Sequence, residues 1–146
     1  MPADSLCSSH LLSLALHAVS CASRLSRGVR TESLGSHAVL TKTDASPVTL
    51  ADFGVQALVT LYLREHGPRS FRLVAEEDAE ALHNDPGLLQ TVTDLVNQYY
   101  PAPNNEAHTW RTTDVLDALS RGGDEGGEGS FWFLDPIDGT RGFVRA

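Results

Sequence analysis

Two aspartates near the carboxyl end of the sequence have the type and spacing of metal ligands. Asp135 and Asp138 are three positions apart in the segment Asp-Pro-Ile-Asp-Gly-Thr (135–140), directly after the apolar run 131–134. Pro136 fixes its own φ and keeps the preceding residue extended. We therefore expect the two carboxylates to converge on a pair of cations, which predicts a metal site on a rigid turn.

The end of the same segment has the features of a phosphate site. Gly139 lets a ligand approach the backbone closely, and a helical turn that begins at Gly139 and Thr140 would direct free N–H groups towards an anion. An alternative interpretation is a solvated turn, since Asp and Pro are common turn formers. The other acidic blocks of the chain favour the first interpretation.

Two such blocks precede this segment. Glu76 and Glu77 follow the predicted strand 71–75, which is apolar except for Arg72, and this predicts acids at the carboxyl end of a strand. Asp52 lies early in a predicted helix, and Gln56, four residues later, lies on the same face of that helix. Each acid alone also fits a solvated position, and the helix dipole favours Asp52 in a first turn in any case. The three blocks together favour a functional site.

In this order the three blocks resemble the inositol monophosphatase superfamily of metal-dependent, lithium-sensitive phosphatases. Three motifs are similar to those of its 3'(2'),5'-bisphosphate nucleotidase branch, and most of all to its plant-type members. They are Asp-x-Ser-Pro-Val-Thr-x-Ala-Asp (44–52), Ala-Glu-Glu-Asp (75–78) and Asp-Pro-Ile-Asp-Gly-Thr-Arg-Gly-Phe-x-Arg (135–145). The resemblance extends from about the first helix to the last residue.

The resemblance implies a two-metal site with Mg²⁺ as the cofactor. It makes Glu76, Asp135 and the carbonyl group of Ile137 ligands of one ion, and Asp135 and Asp138 ligands of the second. Hard oxygen ligands of this kind suit Mg²⁺. Paired cations neutralise a phosphate group and align the attacking water, the two demands of phosphate ester hydrolysis.

The resemblance also implies the catalytic and substrate-binding groups. Asp52 and Thr140 would orient the attacking water, and Gly139 with Thr140 would contact the substrate phosphate. Glu77 and Asp78 stay outside the ligand set.

The activity that the resemblance implies is Mg²⁺-dependent removal of the 3'-phosphate from 3'-phosphoadenosine 5'-phosphate to give AMP, a step linked to sulfate assimilation. Two alternatives stay open. One is an inositol mono- or polyphosphate 1-phosphatase of the same fold, which substrate preference would distinguish. The other is an inactive remnant that binds metal or pairs with a full-length copy, which the absence of turnover would distinguish.

Composition limits the class of partner. The 146 residues are the size of one domain. Acidic residues outnumber basic ones by 19 to 11, and the formal charge of −8 argues against binding a nucleic-acid polymer through its phosphates. A small phosphorylated nucleotide remains compatible, because its charge can be met by bound cations. The six histidines lack the spacing of zinc ligands, and the oligomeric state is left open.

Hydrophobic periodicity predicts an α+β fold or a layered α/β sandwich, of the sugar-phosphatase type that the resemblance implies. We expect helices over 9–30, from Thr49 to about 66, from Pro86 to about 99 with Asp85 as its cap, and from 113 to about 121. We expect strands over 71–75 and 131–134 and a short extended segment over 38–41. Residues 124–129 are predicted to form a surface loop without calcium-ligand spacing. In the first helix, the predicted core-facing stripe is Leu12, Ala15, Leu16, Val19, Ala22 and Val29. The predicted apolar sets of the other three helices are, in order, Val55, Leu58, Val59 and Leu63; Leu88, Leu89, Val92, Leu95 and Val96; and Val115, Leu116 and Leu119.

The N-terminal region contains an apolar run that could be either a helix of the fold or a targeting segment. The apolar run 11–19 lacks a basic segment before it and is too short to span a membrane, so we interpret it as a helix of the fold rather than a signal peptide. We expect a cytoplasmic protein, with plastid or mitochondrion as alternatives because the arginines and serines of this region also suit a transit peptide.

Relatives continue beyond the third motif, so the resemblance implies the N-terminal part of a phosphatase domain that lacks the C-terminal domain. Open sheet edges and exposed apolar surface should follow.

Overall fold

Helices make up most of the chain. A computed structural model describes residues 8–35, 46–101, 109–139 and 143. Its elements in chain order are α1 (Ser8–Gly35), α2 (Pro47–His66), β1 (Leu73–Ala75), α3 (Glu80–His83), α4 (Pro86–Tyr99), α5 (Thr112–Ser120) and β2 (Trp132–Leu134). The predicted extended segment 38–41 lies outside the described residues.

Helix α2 is the centre of the core and packs against α1, α4 and α5. Residues 50–61 are all buried except Asp52, and the predicted core residues Val55, Leu58, Val59 and Leu63 are among the buried positions. A helix that is apolar on every side must be covered on every side. The predicted start at Thr49 was wrong: Ser46 is the N-cap, and its hydroxyl accepts a hydrogen bond from the Thr49 N–H at 3.2 Å. Pro47 then occupies the first turn, where its missing N–H costs nothing.

Helix α1 packs on α2 with a face that includes Ala22 and Val29 of the predicted stripe but otherwise differs from it. The buried positions are Leu14, Ala18, Cys21, Ala22, Leu25 and Val29. Leu12, Leu16 and Val19, which we expected in the core, are exposed. Leucines and alanines occur on several faces of this helix, so its apolar content alone does not fix its rotation. The contacts with α2 fix it.

The remaining helices follow the prediction closely. Asp85 caps α4 by accepting from the Leu88 N–H at 2.9 Å, and the predicted core set Leu88, Leu89, Val92, Leu95 and Val96 is buried. In α5, Val115 and Leu119 are buried as predicted, and Leu116, the third residue of the predicted set, is partly buried against the core. The helix starts one residue earlier than expected, and Asp114 accepts from the Arg111 N–H at 2.9 Å. The single turn α3 was not predicted.

The two strands form a parallel pair. Leu73 is opposite Trp132, and Ala75 is opposite Leu134. On its other side β1 is flanked by residues 122–124, where the Ala75 N–H donates to the Gly122 carbonyl at 2.9 Å. The described part of the chain thus mixes helices with a short sheet, in agreement with the predicted α+β class.

The side of the sheet next to α1 is open. Phe133 in β2 is 75% exposed, and an apolar groove of about 390 Å³ lies between α1, α2 and β2. This agrees with the expected exposed apolar surface. In the part of the chain that the structure describes, none of the helices has the length and apolar character needed to cross a membrane.

Candidate metal and phosphate site

The parallel pairing brings two of the predicted ligands to one edge of the sheet. Glu76 follows Ala75, and Asp135 follows Leu134, the residue opposite Ala75. Neighbouring strands lie about 4.8 Å apart, so the two acids leave the sheet side by side. Both are exposed. The expectation of acids at the carboxyl ends of two strands is therefore met in the structure, and the parallel direction of the strands is what joins them.

Asp52 reaches the same edge from α2. Burial and, after it, the negative charges of Glu77, Glu76 and Asp135 together raise the pKa of its carboxyl group to about 6. Residues from three separate parts of the sequence therefore interact electrostatically at one place. Burial also raises the pKa of Glu77, with Glu76 and Asp78 acting in the same direction.

Gln56, one turn after Asp52, holds the backbone of this acidic segment. Its Nε2 donates to the Glu77 carbonyl at 2.5 Å, and its Oε1 accepts from the Glu77 N–H at 2.9 Å. The side chain is fully buried. Sequence reasoning placed Gln56 on the face of Asp52 but gave it no role. The four-residue spacing was the available signal.

The turn after β2 contains the other predicted site residues. Pro136 is buried and Ile137 packs against the core, whereas Asp138 and Gly139 are exposed. Gly139 has φ +70°, a conformation that glycine adopts at no steric cost. Its carbonyl accepts from the Phe143 N–H at 3.2 Å. Thr140 lies outside the described residues.

The carboxylates lie close enough to interact electrostatically, but they do not form a complete set of metal ligands. Over residues 8–35, 46–101, 109–139 and 143, no three His, Cys, Asp or Glu side chains lie close enough to hold a metal ion. The donor chemistry fits Mg²⁺, because every candidate side chain offers a carboxylate oxygen. Repulsion between unpaired carboxylates opposes their approach, and a cation removes that repulsion.

Comparison with known proteins tests the resemblance. No family model matches the chain. A 3'(2'),5'-bisphosphate nucleotidase of Oryza sativa is 42% identical over 139 residues, which are 92% of this chain and 38% of that protein. A probable 3'(2'),5'-bisphosphate nucleotidase 3 of Arabidopsis thaliana is 46% identical over 141 residues, 92% of this chain and 39% of that protein. The chain is homologous to the 3'(2'),5'-bisphosphate nucleotidases.

This homology confirms the resemblance that the three motifs carry. A further Arabidopsis thaliana relative, a putative mitochondrial 3'(2'),5'-bisphosphate nucleotidase, is 38% identical over 140 residues, 92% of this chain and 34% of that protein. The chain spans less than half of the length of each of these nucleotidases. The names of the relatives describe hydrolases that act on small phosphorylated nucleotides.

Proposed function

We propose that the chain contributes the N-terminal part of a metal-dependent phosphatase domain of the inositol monophosphatase type. Its reaction would be removal of the 3'-phosphate from 3'-phosphoadenosine 5'-phosphate to give AMP, in sulfur metabolism. The observation that carries this proposal is the meeting of Asp52, Glu76 and Asp135 at the carboxyl edge of two parallel strands. Homology to bisphosphate nucleotidases supports the choice of a nucleotide over an inositol phosphate.

Mg²⁺ is the proposed cofactor. Glu76, Asp135 and the Ile137 carbonyl group would hold one ion, and Asp135 with Asp138 a second. When bound, such ions supply charge neutralisation for the phosphate and a more acidic water. Pro136 restricts the backbone between the two aspartates.

Asp52 is the proposed group that orients the attacking water. Its carboxylate interacts electrostatically with Glu76 and Asp135, so it is close enough to the proposed ligands to accept a hydrogen bond from a water at the cations. Thr140 is the proposed partner of Asp52 in this role. Gly139 and Thr140 would receive the phosphate, and the positive φ of the exposed Gly139 allows a ligand to approach its backbone closely.

Phosphate release tests this proposal. The purified chain is assayed with Mg²⁺ on 3'-phosphoadenosine 5'-phosphate and on inositol 1-phosphate, beside Asp138→Asn and a control, Asp117→Asn, on the exposed face of α5. We expect Mg²⁺-dependent release that prefers the nucleotide. It should fall by on the order of 10²-fold or more in Asp138→Asn and stay unchanged in Asp117→Asn.

Each of the other outcomes of this assay would support one of the two alternative functions. Preference for inositol 1-phosphate would replace the nucleotidase proposal with the inositol phosphatase. Mg²⁺ binding without release from either substrate would identify the chain as an inactive remnant.

We propose a cytoplasmic location, with plastid and mitochondrion as alternatives, and fractionation of cells that express the tagged protein tests this.

A further inference from the structure

The backbone of β1 stops pairing with its neighbours just before the acids of the candidate site. Ala75 is the last residue of the strand, and its N–H donates to the Gly122 carbonyl at 2.9 Å. Glu76 and Glu77 come next. Buried or partly buried backbone groups need a hydrogen-bond partner, and beyond Ala75 the sheet no longer provides one.

Gln56 provides that partner from a different element. Its amide group donates to the Glu77 carbonyl at 2.5 Å and accepts from the Glu77 N–H at 2.9 Å. Both polar atoms of the amide therefore bond to one residue, as an opposite strand would do. A side-chain amide has this pair of functions, whereas an ionised carboxylate only accepts and an aliphatic group does neither.

Gly122 closes the space around the amide. A Cβ atom at position 122 would lie 2.9 Å from Nε2 of Gln56 and 3.0 Å from the Cβ of Ala75. The missing side chain thus lets the segment after α5 approach both the amide and the end of β1. Gln56 is fully buried, so its two hydrogen bonds to Glu77 do not compete with bulk water.

We propose that Gln56 is a positioning residue for the candidate cation site, an inference that rests on the proposed function. By fixing the backbone of Glu77 against α2, Gln56 sets the direction in which Glu76 leaves β1 and keeps Glu76 next to Asp52. The carboxylates of this edge repel one another. Without the amide, the end of β1 is free to move away from α2 and relieve that repulsion, and the cation must then reassemble its ligands.

The first test needs no metal and no activity. Hydrogen exchange of the Glu77 N–H is followed by NMR in the 146-residue chain and in Gln56→Leu, which has a similar size but no polar atoms. Gln98→Leu, an exposed glutamine of α4, is the matched control. We expect a slowly exchanging Glu77 N–H in the parent and in Gln98→Leu, and fast exchange in Gln56→Leu. Fast exchange in the parent overturns the proposal.

The second test measures the dissociation constant for Mg²⁺ by calorimetry. Supporting groups of metal ligands typically contribute 10–100-fold in affinity, so Gln56→Leu should bind Mg²⁺ about 10–100-fold more weakly at a temperature where circular dichroism shows it folded. Equal affinity in the folded variant overturns the proposal. If Gln56→Leu does not fold, Gly122→Ala replaces it, because this change displaces the amide without deleting it, and the same loss of affinity is expected.

The two tests separate the positioning role from the function on which it rests. If the parent chain binds no Mg²⁺, the proposed function fails. The exchange of the Glu77 N–H then decides the remaining question alone: protection that Gln56→Leu abolishes supports the positioning of this backbone, and protection that survives in Gln56→Leu contradicts it.

Discussion

The two strands carry equivalent acids but are supported very differently. The end of β1 is enclosed by the Gln56 amide and by the Gly122 backbone. The end of β2 pairs with β1 on one side and presents Phe133 to solvent. After β2, the direction of Asp135 depends on Pro136, which restricts it covalently.

The difference shows two ways of orienting a carboxylate. At β1, tertiary hydrogen bonds from distant parts of the chain fix the backbone. At β2, the local sequence fixes it, because proline restricts the residue before it without any partner. Substitutions around β1 should therefore change stability and the site together, whereas substitutions on the exposed face of β2 should change stability little.

The largest expected effect is that of Leu73→Ala in β1. Leu73 is 1% exposed, and truncation of a buried leucine costs about 2–5 kcal/mol through lost burial and the remaining cavity. Urea denaturation measures the change in the free energy of unfolding. A loss below about 1 kcal/mol would show that β1 is not part of the core.

Next comes Gly122→Ala. The new Cβ would come within 2.9 Å of the Gln56 amide, and overpacking of this kind costs about 1–3 kcal/mol. Gly123→Ala is the matched control, since its Cβ would make an ordinary 3.5 Å contact with the Ser120 carbonyl and should change stability by less than about 0.5 kcal/mol. Equal losses in the two variants would contradict the close approach of Gly122 to Gln56.

A smaller, pH-dependent effect is expected for Asp124→Asn. Arg72 donates to both carboxylate oxygens of Asp124 at 2.8 Å, and this lowers the pKa of Asp124. A lowered folded-state pKa stabilises the fold above the unfolded pKa, and this contribution is lost as the pH falls through the folded value. Denaturation of parent and variant from pH 7 to pH 3 should show a difference that is constant near neutrality and shrinks below about pH 4. A difference that grows in acid would have the wrong sign for this pair.

The smallest effect on stability is expected for Phe133→Ser. The side chain is 75% exposed, so the free energy of unfolding should change by less than about 0.5 kcal/mol. Binding of a hydrophobic dye and self-association at high concentration should both decrease, because an exposed aromatic group on an edge strand promotes association. Unchanged dye binding would show that the groove beside β2 is covered in solution.

Sequence patterns predicted the elements that have local signals. The Asp85 cap with Pro86 and the regular apolar spacing of α4 are enough to place that helix. The buried face of α1 could not be predicted, because apolar residues such as Leu12 and Leu14 lie on different faces and only packing on α2 selects between them. The single turn α3 is too short to have a periodic pattern.

The candidate site also combines features that the sequence predicts with features that only tertiary contacts determine. The residue types were predictable, since acids directly after two apolar runs indicate strand ends. The parallel pairing that joins Glu76 to Asp135 connects segments about 60 residues apart and has no local signal. The bond between Gln56 and Glu77 is tertiary in the same way, although the position of Gln56 on the face of Asp52 was visible in the sequence.

Calorimetric titration of the chain with Mg²⁺ tests most directly the claim that the ends of two parallel strands form a cation site. Asp135→Asn removes a carboxylate from this edge, and Asp117→Asn removes one from the exposed face of α5. We predict that the parent and Asp117→Asn bind Mg²⁺ with the same affinity and that Asp135→Asn binds it at least about 10-fold more weakly. Equal binding by all three proteins, or by none of them, would contradict the account.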